Sequence, residues 1–351
     1  MYWDKKGYSF RNFPPGVLPG TDEITGRKLL YDKEDLTENR SLGRKKRDIP
    51  NVSSYCFNEL HMFLRIKSCA SHFKKSTFRG FTSTTYRLHE KTSNHEAETH
   101  FGFKSVPESM KETLVGQVFS NVASKYDVMN DAMSLGIHRL WKDHFIRAMA
   151  PGPGTKLLDV AGGTGDIAMR FLNYCKEIHG DNSAQVTLLD INPHMLNVGK
   201  KRFSMTPYEK TSQVTFEVGN AEDLSSIPSN SYDAYTISFG IRNCTRIDRV
   251  LDEAYRVLRP GGRFMCLEFG NVQNPAIAPL YKMYSFQIIP VIGQLVAADR
   301  DSYQYLVESI QQFPSQDRFA EMVKNAGFTV VGDGWENLTF GIAAIHSGFK
   351  L

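Results

Sequence analysis

The run Leu157-Leu158-Asp159-Val160-Ala161-Gly162-Gly163-Thr164-Gly165-Asp166 carries the chain from an apolar strand, through a cluster of glycines, into a helix that begins near Asp166. Glycines at such a turn let the backbone reverse sharply, and they let a ligand reach the main chain where a Cβ would collide. By itself the loop leaves the ligand open, because Gly163, Gly165 and Ala168 also satisfy a dinucleotide fingerprint. The order of strand, glycine turn and helix does say what kind of fold to look for on either side.

Outward from this turn, short apolar runs alternate with amphipathic stretches. Strands are predicted at 156–161, 186–190, 214–219, 232–239, 263–269, 328–331 and 340–346, with helices between them and helical cover over 115–150. This predicts an α/β fold: a doubly wound, mostly parallel seven-stranded sheet with an antiparallel C-terminal edge strand. The domain is expected to span 96–351. Residues 1–61 are polar, punctuated by Pro and Gly, and carry a basic run at Arg44-Lys45-Lys46-Arg47; without helical or strand periodicity they read as a disordered extension. Residues 62–95 interleave Arg65, Lys67, Lys74, Lys75, Arg79 and Arg87 with apolar residues, and no Asp or Glu occurs between Glu59 and Glu90. That is the composition of a mitochondrial transit peptide, with a basic linker as the alternative, and it makes Met62 a candidate start.

The chain of 351 residues is 41% apolar and 23% charged, enough for a globular core. Its net charge of +4 is unevenly placed: 18 Lys+Arg against 10 Asp+Glu up to residue 95, and 24 against 28 beyond it. The large domain is therefore slightly acidic, which argues against a nucleic-acid partner. The five cysteines form no CxxC pair and have no His at ligand spacing, so no metal site is expected. The uncharged run 283–298 is too short for a bilayer and contains Pro290 and Gly293.

Two features separate the possible ligands of the glycine turn. Asp159 stands four residues before Gly163, in an Asp-x-Gly-x-Gly-x-Gly arrangement that resembles S-adenosylmethionine sites, with Ala161 in place of the first glycine. Leu258-Arg259-Pro260-Gly261-Gly262-Arg263, between an amphipathic helix and an apolar strand, resembles a turn of class I methyltransferases. Asp190 closes the second strand, where a carboxylate can accept bonds from both ribose hydroxyls; a helix cap is the alternative role. Asn220-Ala221-Glu222 follows the third strand and offers an adenine contact, or an ordinary loop.

With their flanks, these motifs resemble the C-methyltransferases of ubiquinone and menaquinone biosynthesis. The resemblance runs from about Val118 to the C-terminus and is carried by 118–131, 159–166, 238–243, 302–310 and 337–346. It implies S-adenosyl-L-methionine as cofactor, held by Thr164, Asp190, Asn220, Ala221 and Ser238 beside Asp159, Gly163 and Gly165. Asn220 stands where many eukaryotic members have Asp, which keeps an acceptor but loses the charge. The tract Ser347-Gly348-Phe349-Lys350-Leu351 and the transit-like segment are similar to the mitochondrial branch. That branch implies a polyprenyl benzoquinol substrate (2-methoxy-6-polyprenyl-1,4-benzoquinol), a peripheral place on the matrix side of the inner membrane, and other ubiquinone-biosynthesis enzymes as partners. A homodimer is compatible with it, and a scaffold subunit or action on a related quinol is the alternative function.

A quinol carbon becomes nucleophilic when a neighbouring phenol loses its proton, so such an enzyme must stabilise a phenolate and align carbon, methyl and sulfur. Arg242, just past the fourth strand, is the candidate for that stabilisation, or for orienting a water that takes the proton, because a guanidinium is a poor base. Tyr126 is the candidate to relay a proton or bond the ring oxygen, with an aromatic lid as its alternative. Glu268 is the best carboxylate for a direct base, though a structural bond suits it better. The apolar segment 280–297 suits a prenyl-tail groove, a subunit interface or plain core packing.

Overall fold

The computed structural model describes residues 17–21, 28–32 and 97–351, in two units, Met1–Glu90 and Lys91–Leu351. In the first unit, β1 (Val17–Thr21) pairs antiparallel with β2 (Lys28–Asp32), a ladder that the aperiodic composition of 1–61 gave no sign of. The expectations for the rest of 1–61 and for 62–95 lie outside the described residues.

The second unit opens with a hairpin of β3 (Glu98–Phe101) and β4 (Lys104–Pro107). Its main sheet comprises β5 (Lys156–Val160), β6 (Gln185–Asp190), β7 (Val214–Val218), β8 (Tyr232–Ser238), β9 (Leu258–Phe269), β10 (Trp335–Leu338) and β11 (Ala343–Phe349), in the order β10-β11-β9-β8-β5-β6-β7. β7, β6, β5, β8 and β9 run parallel, and β11 is antiparallel to both its neighbours. The chain moves from β5 outward to β7, then jumps back to β8 on the other side of β5. That reversal opens a crevice at the carboxyl ends of β5 and β8, where ligands of such sheets bind.

Successive residues of a strand face opposite sides of the sheet. Leu157 and Leu158 accordingly enter two different cores, one with Phe145, Phe171 and Leu188, the other with Tyr235, Val250, Leu251 and Phe319. Both faces being covered, the central strands read as continuous apolar runs.

The expected fold class is borne out; its C-terminal details shift. Residues 328–331 form no strand: Phe328 is apolar because it packs on Tyr255 and Phe264, and only Thr329 bridges to Phe349. The edge is instead Trp335–Leu338, whose exposed Glu336 and Asn337 hide it from an apolar-run search. The antiparallel strand is β11, one in from that edge. It begins at Ala343 rather than 340, because Thr339 and Phe340 adopt positive φ (46° and 59°) and break the extended backbone.

The cover before β5 consists of α1 (Glu108–Val122), α2 (Tyr126–Ser134) and α3 (Ile137–Met149), starting earlier than 115. Then follow α4 (Asp166–His179), α5 (Pro193–Phe203), α6 (Ile247–Val257), α7 (Ala278–Met283), α8 (Ile289–Ala297), α9 (Arg300–Gln312) and α10 (Gln316–Asn325), with a π-turn at Tyr284–Ile288. Within 280–297, core packing accounts for one face only. Ile289, Pro290 and Gly293 are buried, Gly293 against Tyr303, while Leu280, Met283, Val291 and Leu295 are exposed. Among the described residues no helix is long and apolar enough to cross a membrane.

Candidate active site

At the carboxyl ends of β5, β6 and β8 lies a cleft enclosing about 1100 Å³, part of it open to solvent. Asp159, Gly163, Thr164, Asp190, Asn220, Ala221, Ser238 and Tyr126 all line it; Gly165 and Arg242 do not. Gly163 takes φ +55°, and its N–H donates to Asp190 Oδ2 at 2.8 Å, while Asn192 N–H donates to Oδ1 at 2.8 Å. Helix α5 is capped by Asn192, whose Oδ1 accepts from the His194 and Met195 amides. Capping therefore falls to Asn192, and Asp190 fixes the glycine turn. Each of its oxygens retains a lone pair for a ligand, and burial pushes its carboxyl up. Gly165 serves packing: a Cβ there would lie 2.7 Å from the Phe203 ring and 2.8 Å from Leu188 Cδ1.

Asp159 is buried, with Oδ1 accepting from Thr236 Oγ1 at 2.8 Å and Oδ2 without a partner. Ser238 Oγ is also buried and unpartnered. Orphaned acceptors in a cleft with a glycine cradle and a second carboxylate fit S-adenosylmethionine, whose cationic end needs acceptors and whose ribose needs a carboxylate. Burial pushes Asp159 up to about 7. Below that pH the carboxyl is protonated, and a cation bound beside it must first drive the proton off. Donor affinity is thus expected to fall by up to about tenfold per unit as pH drops below about 7, with proton release on binding at pH 6 but not at pH 8. Calorimetry in buffers of different ionisation enthalpy checks this. An affinity equal at both pH values would detach Asp159 from the donor.

Helix α1 lies over the cleft and is tied to donor-site residues. Asn220 Nδ2 donates to Glu112 Oε2 at 3.2 Å, and Asn192 Nδ2 donates to Gly116 O at 3.2 Å and Ser120 Oγ at 3.0 Å. Arg202 bridges Thr164 Oγ1 at 2.8 Å and Asp127 at 3.0 Å. Tyr126 sits with Phe119, ring centroids 6.3 Å apart, on the cleft wall. Glu112, Phe119 and Lys142, the last paired with Asp166 at 2.8 Å, were not singled out from sequence. Nothing in a helical charge pattern distinguishes them from solvated residues.

Arg242 occupies the 3-10 turn Ile241–Asn243 just past β8, as expected, but its charge is engaged. Nη1 donates to both oxygens of Glu268, at 2.9 and 3.1 Å, and to Phe239 O at 2.6 Å. Glu268 is fully buried; burial pushes its carboxyl up and Arg242 pulls it back. Held this way it is a structural partner rather than a free base. Arg242 Nε and Asn243 Nδ2 are both buried without partners. Asn243 lines the cleft, and its Oδ1 accepts from Tyr305 at 2.9 Å. Asn243 falls within the 238–243 segment that carries the family resemblance, and no local sequence feature assigns it a role.

The model of the ubiE/COQ5 methyltransferase family matches residues 107–350. Proteins named "2-methoxy-6-polyprenyl-1,4-benzoquinol methylase, mitochondrial" are similar along most of their length. That of Schizosaccharomyces pombe is 56% identical over 275 residues, covering 77% of this chain and 89% of that protein. The Drosophila melanogaster protein is 54% identical, covering 75% and 88%, and the human protein 51%, covering 73% and 85%. Together with the donor cleft, these matches lead to one conclusion: the chain belongs to the ubiE/COQ5 methyltransferase family and is an S-adenosylmethionine-dependent methyltransferase.

Proposed function

We propose that the enzyme methylates a ring carbon of 2-methoxy-6-polyprenyl-1,4-benzoquinol in ubiquinone biosynthesis. The names of its relatives support this substrate. The observation that carries the reading is the pair of unpartnered buried donors, Arg242 Nε and Asn243 Nδ2, on one turn at the cleft. Unpartnered N–H groups on one turn, with Asn243 lining the cleft, fit an oxyanion, and the acceptor ring must pass through one. The mitochondrial naming of the relatives and the exposed apolar residues Leu280, Met283, Val291 and Leu295 support a peripheral place on the matrix side of the inner membrane. There other enzymes of the pathway, and a second copy of this chain, are its partners.

When bound, S-adenosylmethionine supplies a methyl group already activated by the sulfonium. The protein's own task is the acceptor. Glu268 immobilises Nη1, so Arg242 needs no reorganisation as charge develops on the ring oxygen. Because that pairing offsets much of the positive charge, Arg242 acts mainly through its unpartnered Nε–H, with Asn243 as the second donor. Tyr126, on the cleft wall beside Phe119, bonds the ring oxygen or relays its proton, and α1 excludes water. Turnover of a short-chain demethyl quinol with the donor, followed by mass spectrometry, is expected to give a single ring-methylated product. Donor binding without any methylated quinol would overturn the substrate.

A further inference from the structure

Lys111 of α1 is 2% exposed, yet its ammonium makes one hydrogen bond, to Cys244 O at 2.9 Å. Glu222, next to the donor-site residues Asn220 and Ala221, accepts from Thr245 N–H through Oε1 at 2.6 Å. The Cys244 carbonyl and the Thr245 amide belong to the same peptide group. A cation stands at its negative end and an anion at its positive end, so the peptide dipole is gripped along its length. This peptide is the exit of the Ile241–Asn243 turn. A buried ammonium with a single bond is costly to keep; Lys111 has no part in the chemistry described above, and Glu222, at the wall of the donor cleft, commits Oε1 to this peptide.

We propose that Lys111 and Glu222 are positioning residues, a charged clamp on the Cys244–Thr245 peptide that holds Arg242 Nε and Asn243 Nδ2 against the acceptor ring. The clamp draws on the helix over the donor cleft and on the loop after β7, so it completes the acceptor side only when both are in place. The inference rests on the reading of that turn as the oxyanion site. The flanking pair Arg246–Glu108, 2.8 Å apart with the arginine exposed, joins the same helix to the same loop without touching this peptide. It serves as the control, since exposed pairs contribute little.

Cys244–Thr245 is the one Cys-Thr step in the sequence. Labelling with carbonyl-¹³C cysteine and ¹⁵N threonine therefore gives a single carbonyl–amide correlation from the clamped peptide. In the full-length protein, Lys111→Met is expected to move the carbonyl resonance and Glu222→Gln the amide proton. Each should lower kcat by about 10- to 100-fold, the scale of a small misplacement of catalytic groups, with donor Kd unchanged in Lys111→Met, since Lys111 does not line the donor cleft. The double variant should be no worse than the poorer single, because both act through one peptide, and Glu108→Gln should match wild type. Glu222→Gln keeps the side-chain shape, so the test survives if Lys111→Met does not fold. Additive losses, unchanged kcat, a lost kcat with an unmoved resonance, or an equal loss in Glu108→Gln would overturn the clamp. Failure of wild type on the quinol, with the resonance shifts intact, would instead count against the substrate.

Discussion

Arg242→Ala is expected to lower turnover by about 10²–10³-fold, as loss of one preorganised electrostatic donor commonly does, while donor affinity stays the same. The Glu268 pairing adds a second expectation. Removing the guanidinium leaves a fully buried carboxylate alone, which should destabilise the fold by roughly 3–5 kcal/mol. Adding Glu268→Gln to Arg242→Ala should restore most of the stability and none of the turnover, which separates folding from chemistry. The rate loss should also shrink as pH approaches the phenol's own pKa, near 10 for an unperturbed phenol, since solvent then ionises the acceptor unaided. Arg242→Lys should rescue in part, lacking the planar fork. Denaturant melts and pH-resolved kinetics check each arm. A loss equal at every pH would make Arg242 a substrate-positioning group, and normal turnover would remove it from the mechanism.

Asp190→Ala is expected to weaken donor binding by at least the 1.5–3 kcal/mol typical of bonds to a charged group, roughly 10- to 100-fold. The carboxylate holds more than the ligand. Its loss leaves the Gly163 and Asn192 amides, both at 2.8 Å, without acceptors, and each orphaned buried group costs about 1–3 kcal/mol. The glycine turn should loosen even without donor. Asp190→Asn keeps one acceptor oxygen, so it should order part of the turn while still binding donor poorly. Calorimetry with both variants decides: unchanged affinity in either would reduce Asp190 to a loop fastener.

What could be read from sequence follows the range of the physics. The Asp159–Gly165 turn and the Asp190 strand end are local chemistry, a few residues whose types and order state their own conformation, and they emerged in place. The contacts between α1 and the cleft were invisible, since Glu112 meets Asn220 across 108 positions and Lys111 meets Cys244 across 133. Arg242 and Glu268 were each noticed alone. Their union depends on the β8–β9 register, which sets Ser238 beside Leu267, and no periodicity reports register. The false strand at 328–331 shows the converse, since an apolar run states that it is buried and not by which geometry.

The placement of β11 bears on how the molecule is made. β11 lies between β9 and β10, although it follows both in the chain. A nascent chain that stops anywhere before Ala343 leaves β9 with an unpaired edge and β10 with nowhere to dock. An open, apolar edge on an otherwise finished sheet is a template for pairing with another chain. The five parallel strands can assemble as synthesis proceeds, but the sheet stays adhesive until the antiparallel strand is wedged into its gap, and translation halted in that interval would yield aggregates rather than a shortened enzyme.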